Sequence, residues 1–510
     1  MATYRPTITA ARHMISAGHY SAAHAGYQIL EAGGNAIDAG VAAGIALGVL
    51  QTDRVNFAGV APIMIYLAET NEVVNIDGLG TWPKAASLDY FHKNHDGKMP
   101  PGILRTVMPA APASWIAALE RFGTMSFGEV AREAVRLARE GFAMHGFMAE
   151  YIADHEASYK RWPASAAVFL PNGRPPRVGE IFVQTELAAS IQHMIDEEAA
   201  NKHKGRSAGL QAARDAFYQG DIAQKIVRYH QQNGGWVSAE DLAAYEVSFE
   251  TPVHTSFHGV DLYACGPWSQ GPVLPQTLNL LSGFDLKAMG HNSAAYVHTI
   301  VEALKLSFAD RHRYYGDPKF VKVPIEVLLS QDYAAERRKL IRADAAAPGM
   351  PAPGSIPGFA PGKALPPATP GNPNPPADTS YVCVVDRHGN AFSATPSDGS
   401  SAMPVIPGTG LCPSSRGSQN WTDPDVPAVM APGKRPRLTP NPALAMKDGR
   451  LLMPFGSPGN DIQPQAMTQV FLNIVVFGME PQAAVEAPRF ATYSYPSSSA
   501  PHAYHPGRMN

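Results

Sequence analysis

From residue 345 to residue 377 the chain reads AAAPGMPAPGSIPGFAPGKALPPATPGNPNPPA, a stretch dominated by Pro, Gly and Ala. Proline lacks an amide hydrogen and holds φ near one value, so it blocks helix interiors and sheet ladders alike. The run predicts a flexible tether or an extended wrap, and not a core element. It stops abruptly at Asp378. The residues that follow, TSYVCVVDRHGNAFSAT, set Tyr381, Cys383 and Val385 against Val382, Val384 and Asp386 with the alternation of a strand, and turn at His388-Gly389-Asn390. Thr379 therefore stands where a tether gives way to a core strand.

Inside a strand a threonine hydroxyl is ordinary. If the bond between Asp378 and Thr379 is cut, Thr379 gains a free α-amino group with a pKa near ~8 that can take the proton of its own hydroxyl. One residue then supplies nucleophile and base together, the logic of N-terminal-nucleophile chemistry. A tether upstream fits, because the released end has to move away from the new nucleophile. A dispensable inter-domain linker is the plainer reading of the same run.

At 510 residues the chain holds either several ordinary domains or one large layered one. Its formal charge of -3 leaves no electrostatic footprint for nucleic acid or an anionic membrane, so a small molecule is the expected partner. The three cysteines, Cys265, Cys383 and Cys412, are odd in number and widely spaced, which speaks for a reducing compartment. No apolar stretch follows the opening MATYRPTITAARHMISAGHY, and the longest apolar run, AGVAAGIALGVL, is too short for a membrane helix. A cytoplasmic protein is expected on these grounds. His254 and His258 share a strand face with no carboxylate expected beside them, so neither a metal nor another cofactor is expected.

Along the chain, AAHAGYQILEAGG reads as a helix with Ser21 as N-cap, and Ala36 to Leu50 as a second, nearly uncharged and therefore buried helix. VAPIMIYLAETNEVVNIDG reads as a hairpin, and residues 111–201 as mostly helical. SAAYVHTIVEALKLSFADRHRYYGD is a long helix whose Glu302, Lys305, Asp310 and Arg311 break its apolar face; buried ion pairs that fix its orientation are the expected use. PALAMKDGRLLMPFG is a hairpin turning at Asp448-Gly449, and QAMTQVFLNIVVFG a helix ending at Gly478.

The blocks AGYQILEAGGNAIDAGVAAGIALGV, EALKLSFADRHRYYGDPKF, DTSY with VVDRHGNAFS, and APGKRPRLTPNPALAMKDG with FGSPGNDIQPQ occur in an order that resembles the γ-glutamyltransferase family of self-cleaving amidohydrolases. The resemblance covers nearly the whole chain. It implies an α+β, four-layer αββα N-terminal-nucleophile fold, formed jointly by a large-subunit segment, 1–378, and a small-subunit segment, 379–510, of one precursor cut between Asp378 and Thr379. It also implies Thr379 as nucleophile, Ser397 as a second hydroxyl beside it, and backbone donors for the oxyanion from Gly459 and Asn460. Asn460 replaces a family glycine; the donor is backbone, and Asn tolerates left-handed angles better than most residues.

The substrate side departs from the family pattern. Leu88 stands where transpeptidases of the family are expected to carry a carboxylate-binding arginine, and a leucine makes no salt bridge. The expected serine pair is Leu438-Thr439. The segment expected to hold an acidic residue reads LCPSSRGSQNW, with Arg416 near the expected carboxylate. Arg416 either binds an anionic acyl group or pairs structurally with Asp423 or Asp425. Together with Thr439 and Asp461 it is the candidate substrate-binding set.

This pattern is similar to the acylase-like branch, which includes cephalosporin-acylase-type and oxamate-amidohydrolase-type members. It implies hydrolysis of a small amide or γ-glutamyl-like compound through an acyl-enzyme on Thr379. A γ-glutamyl transpeptidase and an unprocessed, non-catalytic binding homologue are the alternatives. The two fragments are each other's expected partners, and a homodimer is left open. Relatives are expected to continue with several strands beyond Asn510, so an uncovered sheet edge is expected.

Overall fold

The computed structural model describes residues 3–362, 365–371, 373 and 378–510; the remaining parts of the 345–377 run lie outside the described residues. In chain order the strands of its two main sheets are β1 (Met14–Ala17), β2 (Ile63–Leu67), β3 (Glu72–Ile76), β4 (Phe249–Glu250), β5 (Val253–Phe257), β6 (Val260–Ala264), β7 (Val382–Val385), β8 (Ala391–Ala394), β9 (Ala443–Lys447) and β10 (Arg450–Phe455). The first sheet runs β1-β7-β8-β2-β3-β4 and the second β10-β9-β6-β5, all pairs antiparallel. Residues on both sides of the Asp378–Thr379 bond therefore interleave in both sheets.

Each sheet carries helices on its outer face, which completes the four-layer αββα order. On the first lie α1 (Tyr20–Glu31) and α2 (Ala36–Leu50), and on the second α3 (Val273–Leu281), α4 (Ala294–Tyr314) and α5 (Gln463–Val475). All 15 residues of α2 are buried, as its near lack of charge predicts. A Cβ at Gly40 would stand 2.2 Å from the Phe392 ring of β8, and only glycine lets the helix lie flush there. With α2 on one face and the second sheet on the other, β8 is buried at every position. Ser393 links the sheets, donating to the Ala443 carbonyl at 3.1 Å.

Three expectations change. The N-cap of α1 is His19, whose ring nitrogen accepts from the Ser21 amide at 3.1 Å; an imidazole two residues earlier does the work expected of the Ser21 hydroxyl. His254 faces Asp261 across the β5–β6 hairpin at 3.3 Å, a carboxylate that strand pairing supplies, while His258 sits in the turn with φ +50.

The largest change concerns the proline-rich run. Its described part is an extended wrap laid along α4, and Met350 and Ile356 are buried in the second core. A proline-rich strand cannot satisfy its own polar groups, and α4 does so for it. Lys305 donates to the Ala347 carbonyl at 2.6 Å and Glu302 accepts from the Ala347 amide at 3.1 Å; Asp310 accepts from the Gly354 amide at 2.8 Å. The charges of α4 thus clamp the wrap as well as pairing with one another, Lys305 with Glu302 at 2.5 Å. Of the second sheet, β10 pairs with β9 alone among the described residues. No helix among the described residues is long and apolar enough to cross a membrane.

Candidate active site

Three residues before β7 the backbone takes a form that a β-branched residue rarely adopts: Thr379 has φ +81. Such strain persists only where the surroundings over-determine it. The Thr379 amide donates to the Arg54 carbonyl at 3.2 Å, and the Ser380 amide to the Pro396 carbonyl at 3.0 Å. Arg54 follows α2 and pairs with Asp53 at 2.9 Å, while its guanidinium lies 3.4 Å above the Phe147 ring. Asp53 is fully buried with its Oδ1 unpartnered, and that burial pushes its pKa up to about 6 in spite of Arg54.

Around the Thr379 hydroxyl, four side chains close a ring. Thr379 Oγ1 lies 2.6 Å from Ser397 Oγ and donates to Asp378 Oδ1 at 3.1 Å. Asp378 Oδ2 accepts from Arg416 Nη2 at 2.7 Å, and the same nitrogen donates to Ser397 Oγ. The structure brings Asp378, Thr379, Ser397 and Arg416 together although 38 residues separate the first from the last. Arg416 pairs with Asp378 and Asp398, not with the Asp423 or Asp425 expected from the sequence. Burial works against its charge, but the two carboxylates hold its pKa above the ordinary value. Asp398 meets Arg416 at 3.4 Å, and its oxygens also accept from the Ser414 and Ser415 hydroxyls, each at 2.6 Å.

The loop after β10 approaches from the second sheet. A Cβ at Gly456 would fall 2.4 Å from the Tyr381 ring, so the loop lies against the start of β7. Gly459 has φ +113 and Asn460 φ +53; the asparagine accepts the left-handed angles expected of it. Gln270 donates to the Asn460 carbonyl at 2.8 Å, and Gln463, opening α5, donates to Thr379 Oγ1 at 3.4 Å. Among the described residues no group engages the Gly459 or Asn460 amide hydrogens. Asp461, expected to face substrate, turns away: it pairs with Arg311, accepts from the Ser498 amide at 2.8 Å and the Ser498 hydroxyl at 2.5 Å, and is 4 % exposed. Burial raises its pKa, but Arg311 and Ser498 more than offset that and leave it lowered. Its place is in the loop's foundation, anchored to α4.

Thr439 lies in the same wall, and its partner from the LCPSSRGSQNW segment is neutral Gln419, donating to Thr439 Oγ1 at 2.7 Å. Gln419 also reaches Asn460 Oδ1 at 3.5 Å, and Asn460 donates to Ser499 at 3.2 Å. The LCPSSRGSQNW segment thus sets a neutral side chain beside Thr439, while Arg416, three residues before Gln419, pairs with Asp378 and Asp398. Leu88 opens the helix Leu88–His95 and packs on the Trp82–Phe91 cluster, outside the Thr379 hydrogen-bond network. Sequence reasoning missed Arg54, Asp398, Gln419 and Gln463. The charged pair Asp53-Arg54 between two apolar runs was a usable signal; the glutamines, neutral and inside quoted motifs, carried none.

Residues 22–501 of the chain match the family described as Gamma-glutamyltranspeptidase. The chain is 34% identical over 498 residues to the acylase ACY 1 proenzyme of Pseudomonas sp. (strain V22), a match spanning 95% of this chain and 83% of that protein. It is 31% identical over 507 residues to the glutathione hydrolase proenzyme of Escherichia coli (strain K12), spanning 95% and 81% respectively. Its fold superposes on the crystal structure of a cephalosporin acylase from Bacillus halodurans with a TM-score of 0.83 at 28% identity, over 96% of this chain and 85% of that one.

Proposed function

The chain belongs to the gamma-glutamyltranspeptidase family of N-terminal-nucleophile enzymes, and from that premise we propose that it is a precursor that cuts itself between Asp378 and Thr379 and then hydrolyses a small amide. Segments 1–378 and 379–510 become the large and small subunits. They stay together because both contribute strands to both sheets. The observation that carries the reading is Thr379 itself: buried, at φ +81, with its hydroxyl 2.6 Å from Ser397. A threonine that merely began a strand would need none of this.

In the uncut chain Thr379 Oγ1 attacks the Asp378 carbonyl, the C–N bond gives way to an ester, the proton passes to the new α-amine, and water hydrolyses the ester. In turnover the freed amine is the base, Thr379 Oγ1 takes the acyl group, the amine product leaves with the proton, and water completes the cycle. Ser397 orients the hydroxyl. The Gly459 and Asn460 amides are the donors for the developing oxyanion.

Hydrolysis is favoured over γ-glutamyl transfer by the wall opposite. Thr439 meets a neutral glutamine, and the nearby carboxylate of Asp461 is already taken by Arg311 and Ser498, which leaves little to hold an α-ammonium group. Among the relatives are proteins named acylase beside others named glutathione hydrolase, and the neutral Thr439 wall is what favours a non-glutamyl acyl group here. The three cysteines are unpaired, in keeping with a reducing, cytoplasmic setting. The deciding experiment is the denatured intact mass of the purified protein. Two fragments meeting at Asp378 and Thr379 are expected, and a single species at 54.5 kDa after long incubation would sink the proposal in favour of an unprocessed binding protein.

A further inference from the structure

Asp378 is the first acyl group that Thr379 meets. The ester formed during self-cleavage and the acyl-enzyme formed during turnover are the same functional group on the same oxygen. What holds the Asp378 side chain therefore reports on what the acyl site can hold. That group is Arg416: 2 % exposed, with Nη2 placed 2.7 Å from Asp378 Oδ2 and bonded to Ser397. Its other carboxylate, Asp398, stands 3.4 Å from Nε, too long and misaligned to satisfy that nitrogen, and is already supplied with donors by Ser414 and Ser415. Among the described residues, the one carboxylate to which Arg416 donates a hydrogen bond is thus the one on the residue that self-cleavage releases.

We infer that Arg416 changes partner on maturation: in the precursor it grips the Asp378 carboxylate, and in the cut enzyme it receives a carboxylate at the same place on the acyl part of the substrate. In Asp378 two carbons, Cα and Cβ, separate the scissile carbonyl from the carboxylate carbon. The matching acyl group is a four-carbon, 3-carboxypropanoyl (succinyl-type) amide. This inference rests on the reading of Thr379 as nucleophile. Thr379 Oγ1 attacks the succinyl carbonyl, the C–N bond breaks, the amine departs with the proton held by the Thr379 α-amine, and water releases the diacid. A guanidinium already desolvated in a closed site and fixed by Ser397 makes a stronger carboxylate receptor than a surface arginine.

The test compares 4-nitroanilides of succinate, glutarate and butyrate on the cut protein, with Arg416→Gln and Arg416→Lys beside the wild type. The inference expects kcat/KM for the succinyl anilide to exceed that for the uncharged butyryl anilide at least tenfold and the glutaryl anilide by a smaller factor. It further expects Arg416→Gln to erase the preference and Arg416→Lys to restore part of it. Butyryl turnover equal to succinyl turnover in the wild type overturns it, and this arm needs no variant to fold. A preference that survives Arg416→Gln overturns it as well. A protein that is cut but hydrolyses none of the three anilides overturns the inference and leaves self-cleavage standing. A protein that is never cut overturns the reading beneath it and the inference together.

Discussion

Two buried arginines each gather more than one carboxylate, and they differ in what happens to their partners. Arg435 bonds Asp77 at 2.9 Å, Glu250 at 2.7 Å and Asp317 at 2.9 Å, tying the end of β3, the edge strand β4 and the chain beyond α4 into one knot. Every partner lies far along the chain from the proposed cut, so the cluster is permanent. Arg416 is as deeply buried and gathers two carboxylates instead of three, and its hydrogen-bonded one belongs to the residue before the proposed cut. On the proposed cut, like chemistry at the two places gives architecture in one and a replaceable contact in the other, and the difference comes from chain connectivity.

The comparison breaks outright if Asp378 is never released, so the largest expected effect is that of Thr379→Ala: an intact 54.5 kDa chain by mass and no measurable turnover. Next comes stability. Arg435→Met leaves three carboxylates facing one another in the interior, and chemical denaturation should register a loss of about 3–5 kcal/mol. In the uncut Thr379→Ala background Arg416→Met should approach that loss; in the cut protein, where Asp378 has gone, it should lose less than half as much. Equal losses in the two backgrounds would mean that Asp378 stays in place.

A third pair, Arg54 with Asp53, shares one limit with the Arg435 knot: the arginine does not offset burial at Asp53, and Arg435 does not offset it at Asp77, where burial also pushes the pKa up to about 6. Asp53 ionises near pH 6 in the folded protein against an ordinary 3.8 in the unfolded chain. The folded state therefore holds the proton more tightly, and stability falls as pH rises from about 4 to about 6. Urea unfolding across that window should lose about 2–3 kcal/mol from this group, and Asp53→Asn should make the slope shallower, with Asp77 supplying a similar share of what remains. The smallest effect is that of Ser397→Ala, which removes one hydrogen bond from the Thr379 hydroxyl. Loss of roughly 0.5–1.5 kcal/mol of positioning predicts turnover slowed about two- to tenfold, read as kcat.

Local sequence carried much of the fold. The nearly uncharged run from Ala36 to Leu50 had to be a buried helix, because apart from Asp38 in its first turn nothing in it rewards contact with water. The two hairpins at Asn71 and Asp448 lie where the turn residues put them. The proline-rich run was only half legible. Its extended form follows from proline, but its partial burial depends on Glu302, Lys305 and Asp310, whose side chains look like ordinary helix charges until α4 and the wrap lie side by side.

The candidate site divides along the same line. That Thr379 meets Ser397 and that Gly459 and Asn460 take left-handed angles was readable, because motif and chain position mark the first pair and a left-handed loop residue is a local property. The orientations of Arg416, Asp461 and Gln419 were not. Whether a guanidinium faces Asp378 or Asp423, and whether a carboxylate faces substrate or Arg311, is decided by which segments the two sheets bring within 3 Å of each other. Charge type and backbone propensity are written residue by residue. Partnership between charges depends on distances that only the packed layers set, since a buried ion pair is favourable or costly according to what surrounds it. The sequence by itself determined where the proposed nucleophile stands and which elements flank it; the tertiary structure decided what each charged side chain holds.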